Sequence, residues 1–276
     1  MYRNNEIIKL YNYDDNQVIW RYMDFTKFLS MLQYQALFFC TCKKMQDMDP
    51  FEGEYPKRNL EKIQKEKEFW QLPSEYLSKA EDYKNSFLQN VAINCWHAND
   101  TENAAMWRMY LSSQEGVAIK STIRKLKKAF ENNEEDVIYI GDIQYNNYDL
   151  NNININTEEY LQDIDSLVNR KQEVSNSEIF NTLCEYYFPL IMSKRKEFEY
   201  GNEIRLVSPI RQSTRRKRVK DFGKLVDVDL DVLINSIIVS PNATDWFVNL
   251  VKDTMKSYNL EHKKVYQSKI YEKIYN

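Results

Sequence analysis

Short apolar runs interleaved with amphipathic helical periods predict an α+β fold, a mixed central sheet flanked by helices and carrying a helical insertion. Three observations carry this expectation. Runs such as 91–96, 116–121 and 203–209 are apolar, yet too short for buried helices. The stretches between them place an apolar residue every three or four positions, at unequal spacing. No internal repeat and no Gly- or Pro-rich linker interrupts the 276 residues. A single domain over 1–276 is therefore expected, with a helical insertion at about 57–90 and a second helical segment at about 157–195.

The elements follow in order. Asp24 reads as an N-cap, with Phe25, Phe28, Leu29 and Leu32 behind it at helical spacing. That helix ends near Tyr34, and 36–40 is an apolar run suited to a strand. In Asp49-Pro50-Phe51-Glu52-Gly53 the proline fixes one dihedral and the glycine permits the exit, which predicts a turn. Two polar amphipathic helices, 59–70 and 74–89, come next, the first charged enough to lie on the surface. The run 91–96 is a buried strand that delivers Trp96 and His97 at its end. Residues 102–112 read as a short helix with Met106, Trp107 and Tyr110 on one side. A strand at 116–121 precedes a helix capped by Thr122, and 137–145 is a third strand. The Asn- and Asp-rich segment 146–156 has little to bury and reads as a loop. Helices at 157–171 and 177–194 lead to the strand 203–209. A basic hairpin at 211–220 returns through a strand at 224–229. The tail alternates strand 233–239, helix 245–258 and strand 264–267.

Composition narrows the function classes. Hydrophobic residues make up 43% and charged residues 29%, which excludes wholesale disorder. A formal charge of -3 gives no global reason to expect nucleic acid or an anionic membrane as partner. Twenty tyrosines suit a large aromatic core, or a deep and partly wet pocket. The first ten residues show no apolar signal core and no run of about eighteen apolar residues occurs. A cytoplasmic protein without membrane contact is the expectation. Cys40, Cys42, Cys95 and Cys184, with only His97 and His262 to help, do not make a metal framework, so no metal is expected. Neither G-x-G-x-x-G nor a Walker A loop occurs, nor a G-x-S-x-G elbow, nor H-E-x-x-H.

Several blocks resemble a bacterial family of unknown function, DUF2971. They are Trp20-Arg21-Tyr22-Met23-Asp24-Phe25, Leu37-Phe38-Phe39-Cys40 and Asp49-Pro50-Phe51-Glu52-Gly53, then Asn94-Cys95-Trp96-His97, the run 104–110 and the run 116–122. The run 194–205, ending Glu203-Ile204-Arg205, and Val239-Ser240-Pro241-Asn242-Ala243 complete the pattern, which spans about 18–268. Gly201 stands where the family pattern elsewhere carries glutamate. A looser likeness, in element order alone, is to ADP-ribosyltransferase-like folds: Arg21 and Tyr22 opening a helix, a tyrosine-bearing middle helix, and a late strand carrying glutamate.

That likeness implies an enzyme acting on NAD as substrate; the bacterial family and the compact architecture prompt the expectation of a toxin or anti-phage effector. Cleaving the nicotinamide–ribose bond passes through an oxocarbenium-like state, so Glu203 would be the stabilising carboxylate, with His97 as an acid–base candidate. Tyr22, Trp107 or Tyr110 would hold the nicotinamide ring, and Arg21 or Arg205 the pyrophosphate. Glycine at 201 turns the expectation away from arginine modification and toward another acceptor, protein or nucleic acid, or simple hydrolysis. Plainer readings stand beside these: Glu203 and Arg205 share a strand face as an ion pair, Trp107 and Tyr110 pack in the core, Arg21 caps an element, and His97 is a hydrogen-bonded structural histidine. A non-catalytic nucleotide- or nucleic-acid-binding module also remains open, as does a metal-dependent nuclease using Glu203, Lys194 and Lys196. Arg215, Arg216, Lys217 and Arg218 either form a solvated tip or steer a phosphate-bearing partner.

Overall fold

Two strands buried on both faces organise the molecule. In the computed structural model, which describes residues 3, 5–6, 8–170, 174–210, 218–219 (backbone) and 222–272, the first of them is β3, Val91–Ala98. The second, β8 (Glu203–Pro209), runs antiparallel beside it from Val91↔Pro209 to His97↔Glu203. Ala92, Trp96, Ile204 and Leu206 face one side; Val91, Ile93, Cys95, Arg205 and Val207 face the other.

Around this pair lie β1 (Val18–Asp24), β2 (Ala36–Thr41), β4 (Gly116–Thr122), β5 (Tyr139–Asp142), β9 (Arg218–Val219), β10 (Gly223–Asp227), β11 (Ser236–Val239) and β12 (Lys264–Gln267). With β3 and β8 they form a ten-stranded sheet of the order β12-β11-β4-β1-β3-β2-β10-β9, and β8 joins β3 to β5. Among the described residues only β11 and β12 pair in parallel within it, so the sheet is mixed, as predicted. A small parallel pair, β6 (Gln144–Asn146) with β7 (Ser193–Arg195), stands apart.

One face of the sheet is closed by α1 (Phe25–Tyr34), α6 (Ile123–Lys128), α9 (Leu230–Leu233) and α10 (Asp245–Ser257). Phe28, Phe130 and Phe247 are fully buried there, and each such side chain contributes about 1.5–3 kcal/mol. The opposite face is covered at one end by the surface helix α3 (Lys57–Phe69), with α4 (Ser74–Asn90), α7 (Thr157–Val168) and α8 (Asn176–Ile191), after the short α2 (Cys42–Met45). At its other end sits α5 (Ala104–Tyr110), over Trp20 and Tyr22. A polar strip of that face lies between the two covers.

Four expectations are corrected. Arg21 and Tyr22 lie within a strand rather than opening a helix, because β1 pairs with β4 from Val18↔Thr122 to Asp24↔Gly116. Asp24 occupies the N-cap position of α1, but its carboxylate accepts from the backbone and hydroxyl of Ser112 instead of capping. The strand read at 137–145 divides at Ile143 into β5 and β6, which belong to different sheets. The strand read at 233–239 starts later, because Asp229 caps the turn of α9 through the amide of Val232. Gly53 takes the left-handed φ of +71° that its turn requires. The hairpin at 211–220 lies outside the described residues, save the backbone of 218–219.

Candidate functional site

The site begins with a competition between strands. Both β1 and β2 pair with the same edge of β3, β1 at Ile19↔Ala98 and Trp20↔His97, β2 at Cys40↔Ile93 and Thr41↔Ala92. If each continued in register, both would claim residues 94–96. Neither does, and the sheet forks there. The backbone groups left in the fork need partners. The Arg21 guanidinium donates to the Cys95 carbonyl and to Asn94 Oδ1 (3.1 Å), and Asn94 Nδ2 donates to the Phe38 carbonyl (2.8 Å). Trp96 Nε1 donates to the same Asn94 oxygen at 2.9 Å.

Beside the fork the polar strip holds a charge network. Arg205, fully buried, donates through Nε to Glu203 Oε1 at 2.8 Å and through Nη1 to Glu52 and the Ile191 carbonyl. Lys194 Nζ lies 3.3 Å from Glu203 Oε2 and 3.9 Å from Glu52 Oε2. Burial opposes ionisation of Glu203, but Arg205 and Lys194 outweigh it and hold its pKa down to about 2. Glu203 is therefore a fixed anion at neutral pH. Burial and the Glu203 charge push the Cys95 thiol up, so that it stays protonated. Burial and Glu203 likewise raise the Tyr110 phenol to about 12.

The charges do not cancel throughout. Glu52 and Glu203 are matched by Arg205 and Lys194, whereas Arg21 has no carboxylate within ion-pair distance among the described residues. Burial lowers the Arg21 pKa, while Cys95, Tyr110 and Glu203 oppose the shift; a guanidinium nevertheless stays charged at neutral pH. The fork thus carries a half-buried surplus cation close enough to feel the charge of Glu203 and of Tyr110, a residue 46% exposed.

Glu203 and Arg205 are thus in direct contact, and Arg21 and Tyr110 lie within range of the Glu203 charge without touching it. His97, Tyr22 and Trp107 form the adjoining layer under α5. Tyr22 and Trp107 meet edge to face at 4.9 Å. The Tyr22 hydroxyl accepts from the Asn103 amide, and the buried Trp107 donates to Glu102 at 3.0 Å. These two rings are packed in place. His97 stands opposite Glu203 on the neighbouring strand. A carbonyl only accepts, so the 2.6 Å contact with Gly201 O places the proton on Nδ1, and Nε2 faces Asn103 Nδ2 at 3.4 Å.

Burial lowers the His97 pKa from 6.5, with the Gly201 bond opposing. Because the folded value lies below the unfolded one, the unfolded chain takes up the proton first. Stability is intact above about pH 6.5 and falls as the pH drops below it. Between pH 7.5 and 5.5, urea unfolding of the natural protein should lose more stability than unfolding of His97→Gln. Equal losses would show that His97 is not the group responsible.

Sequence reasoning missed Glu52, Asn94, Cys95 and Tyr145 as members of this locality. Glu52 was read as part of a turn, and the turn is real, but it also delivers a buried carboxylate to Arg205. Tyr145 Oη accepts from the Glu203 amide at 2.9 Å. Lys196 is exposed, away from the Lys194–Glu203 pair. Among the described residues no three of His, Cys, Asp and Glu gather as a metal-ligand group, and no helix is long and apolar enough to cross a membrane. Arg215, Arg216 and Lys217 lie outside the described residues, as does the side chain of Arg218.

The resemblance seen in the blocks is matched by a family model. That of DUF2971, a protein of unknown function, covers residues 106–206. It takes in the greater part of α5, β4 and the run 194–205, and is narrower than the span 18–268 of the blocks. No curated protein matches the chain, and no solved structure does.

Proposed function

We propose that the fork binds a nucleotide and that the protein cleaves the nicotinamide–ribose bond of NAD, passing the ADP-ribosyl group to water or to another acceptor. The observation that carries this reading is the ionised Glu203 within electrostatic reach of Arg21, which has no carboxylate partner among the described residues, and of the half-exposed Tyr110. As the C1′–N bond breaks, its electron pair leaves with nicotinamide and positive charge builds on the ribose. A carboxylate held near pKa 2 needs no proton transfer to stabilise that charge. Arg21 supplies a guanidinium for the pyrophosphate, and Tyr110 a ring face for a base. The acceptor's oxygen adds to C1′ and loses its proton to solvent.

The test follows nicotinamide release from NAD by purified protein, with and without cell extract. Glu203→Gln keeps an oxygen for Arg205 but leaves the two cations with Glu52 alone, so it should melt lower than the natural protein; compared at a temperature where both are folded, it should lower release about 100–1,000-fold. No release by the natural protein under either condition would defeat the proposal. A second reading, a nucleotide-binding module without turnover, draws on the internal satisfaction of Glu203 by Arg205 and Lys194. It predicts nucleotide binding that survives Glu203→Gln and weakens in Arg21→Gln.

A further inference from the structure

β5 pairs with β8 along one edge, and among the described residues no strand lies on its other edge. Residues 8–13, ahead of β1, run there instead. The Asp142 amide donates to the Lys9 carbonyl at 3.3 Å, the Tyr11 amide donates to Asp142 Oδ1 at 2.6 Å, and Asn12 Nδ2 donates to Asp142 Oδ2. Ile8 is fully buried in one core layer and Leu10 packs against the other, so the segment wraps the sheet edge. Its path passes directly over Gly141. A Cβ there would stand 2.8 Å from the Lys9 carbonyl oxygen and 2.9 Å from the Lys9 nitrogen, so this close approach requires glycine.

Both ends of the segment bear on Glu203. At one end Tyr13 Oη donates to Asn202 Oδ1. Asn202 holds a left-handed φ of 40°, a conformation that surrounding contacts must maintain in a residue with a side chain. Its side-chain amide donates to the Ala98 carbonyl at 2.6 Å, and its carbonyl accepts from the Ala98 amide at 2.8 Å. At the other end the grip falls on Asp142, and the next amide, that of Ile143, donates to the Glu203 carbonyl at 3.0 Å. Lys9, Tyr11 and Asn12 are themselves exposed, which marks an element that opens at low cost.

We propose that residues 8–13 are a detachable strap that sets the backbone of Glu203. Seated, the strap locks Asn202 and Ile143 against their partners. Released, it frees both together and loosens Glu203, while the centre of the sheet stays closed. This switch does not depend on what the fork binds.

Amide hydrogen exchange resolved by residue tests the coupling, because amides exposed by one opening share one degree of protection. In the natural protein the amides of Tyr11, Asp142, Ile143 and Glu203 should agree within about threefold. They should exchange at least about 10-fold faster than Ile119, which lies in β4 between β1 and β11. Gly141→Ala, which pushes Lys9 off the edge, should speed all four at least about 10-fold further and leave Ile119 unchanged. Tyr13→Phe keeps the ring and removes only the donor to Asn202; it should speed Glu203, and it carries the test if Gly141→Ala does not fold. Fast exchange at Tyr11 and Asp142 with Ile143 and Glu203 as slow as Ile119 would make the segment a passive cover. Exchange of all four at the rate of Ile119 would show that it opens only with the whole fold. Either result, or an unchanged Glu203 amide in Tyr13→Phe, overturns the proposal.

Discussion

Arg205→Met should cost about 3–5 kcal/mol of stability, seen as a marked fall in the urea unfolding midpoint. The guanidinium is fully buried and bridges Glu203 and Glu52, whose side chains are 11% and 1% exposed. Methionine fills much of the volume but leaves both carboxylates with only Lys194, at 3.3 and 3.9 Å. An uncompensated buried charge is far more costly than the loss of the pair itself. The double variant Glu52→Gln, Arg205→Met should therefore recover part of the loss. A midpoint unchanged in the single variant would show that water reaches the network freely and that the pair has little structural weight.

Gly223→Ala should lower the melting temperature by about 6–12 °C, corresponding to about 3 kcal/mol. A Cβ at this position would sit 1.9 Å from the Phe39 carbonyl oxygen and 3.0 Å from Cys40 Cα. Those atoms are backbone of β2, paired with β10 at Gly223↔Cys40, so no rotamer change relieves the contact. The strands must separate, and the strain reaches the Thr41↔Ala92 end of β2, next to the fork. Gly201→Ala is the control: its nearest neighbour would be Tyr145 Oη at 3.7 Å, an ordinary contact. Equal melting of the two variants would refute the packing argument.

The strands most legible in the sequence are those whose signal is local. The readings of strands at 203–209 and 264–267 have the bounds the structure shows. β1 escaped notice because its aromatic and apolar residues run without a break into α1, and an apolar run does not announce its period. The candidate site was legible in part for a related reason. Glu203 and Arg205 share a face by simple alternation, which sequence shows. That Arg21 joins them depends on two strands competing for one edge of a third, and no local pattern encodes it. Glu52 reaches Arg205 across 153 positions, a contact that turn chemistry alone does not reveal.

The pairing of β3 with β8 also sets a timetable. His97 and Glu203 are register partners although roughly a hundred residues of chain separate them. At a synthesis rate of about 5–20 residues per second, Glu203 leaves the ribosome about 5–20 s after His97. Throughout that interval one edge of β3 has no strand to pair with, and Glu52 has no Arg205. Such long-range closure is slow and leaves apolar edges open to other chains. The nascent protein is thus most prone to aggregate just before its charge network closes, and chaperone demand should peak in that window.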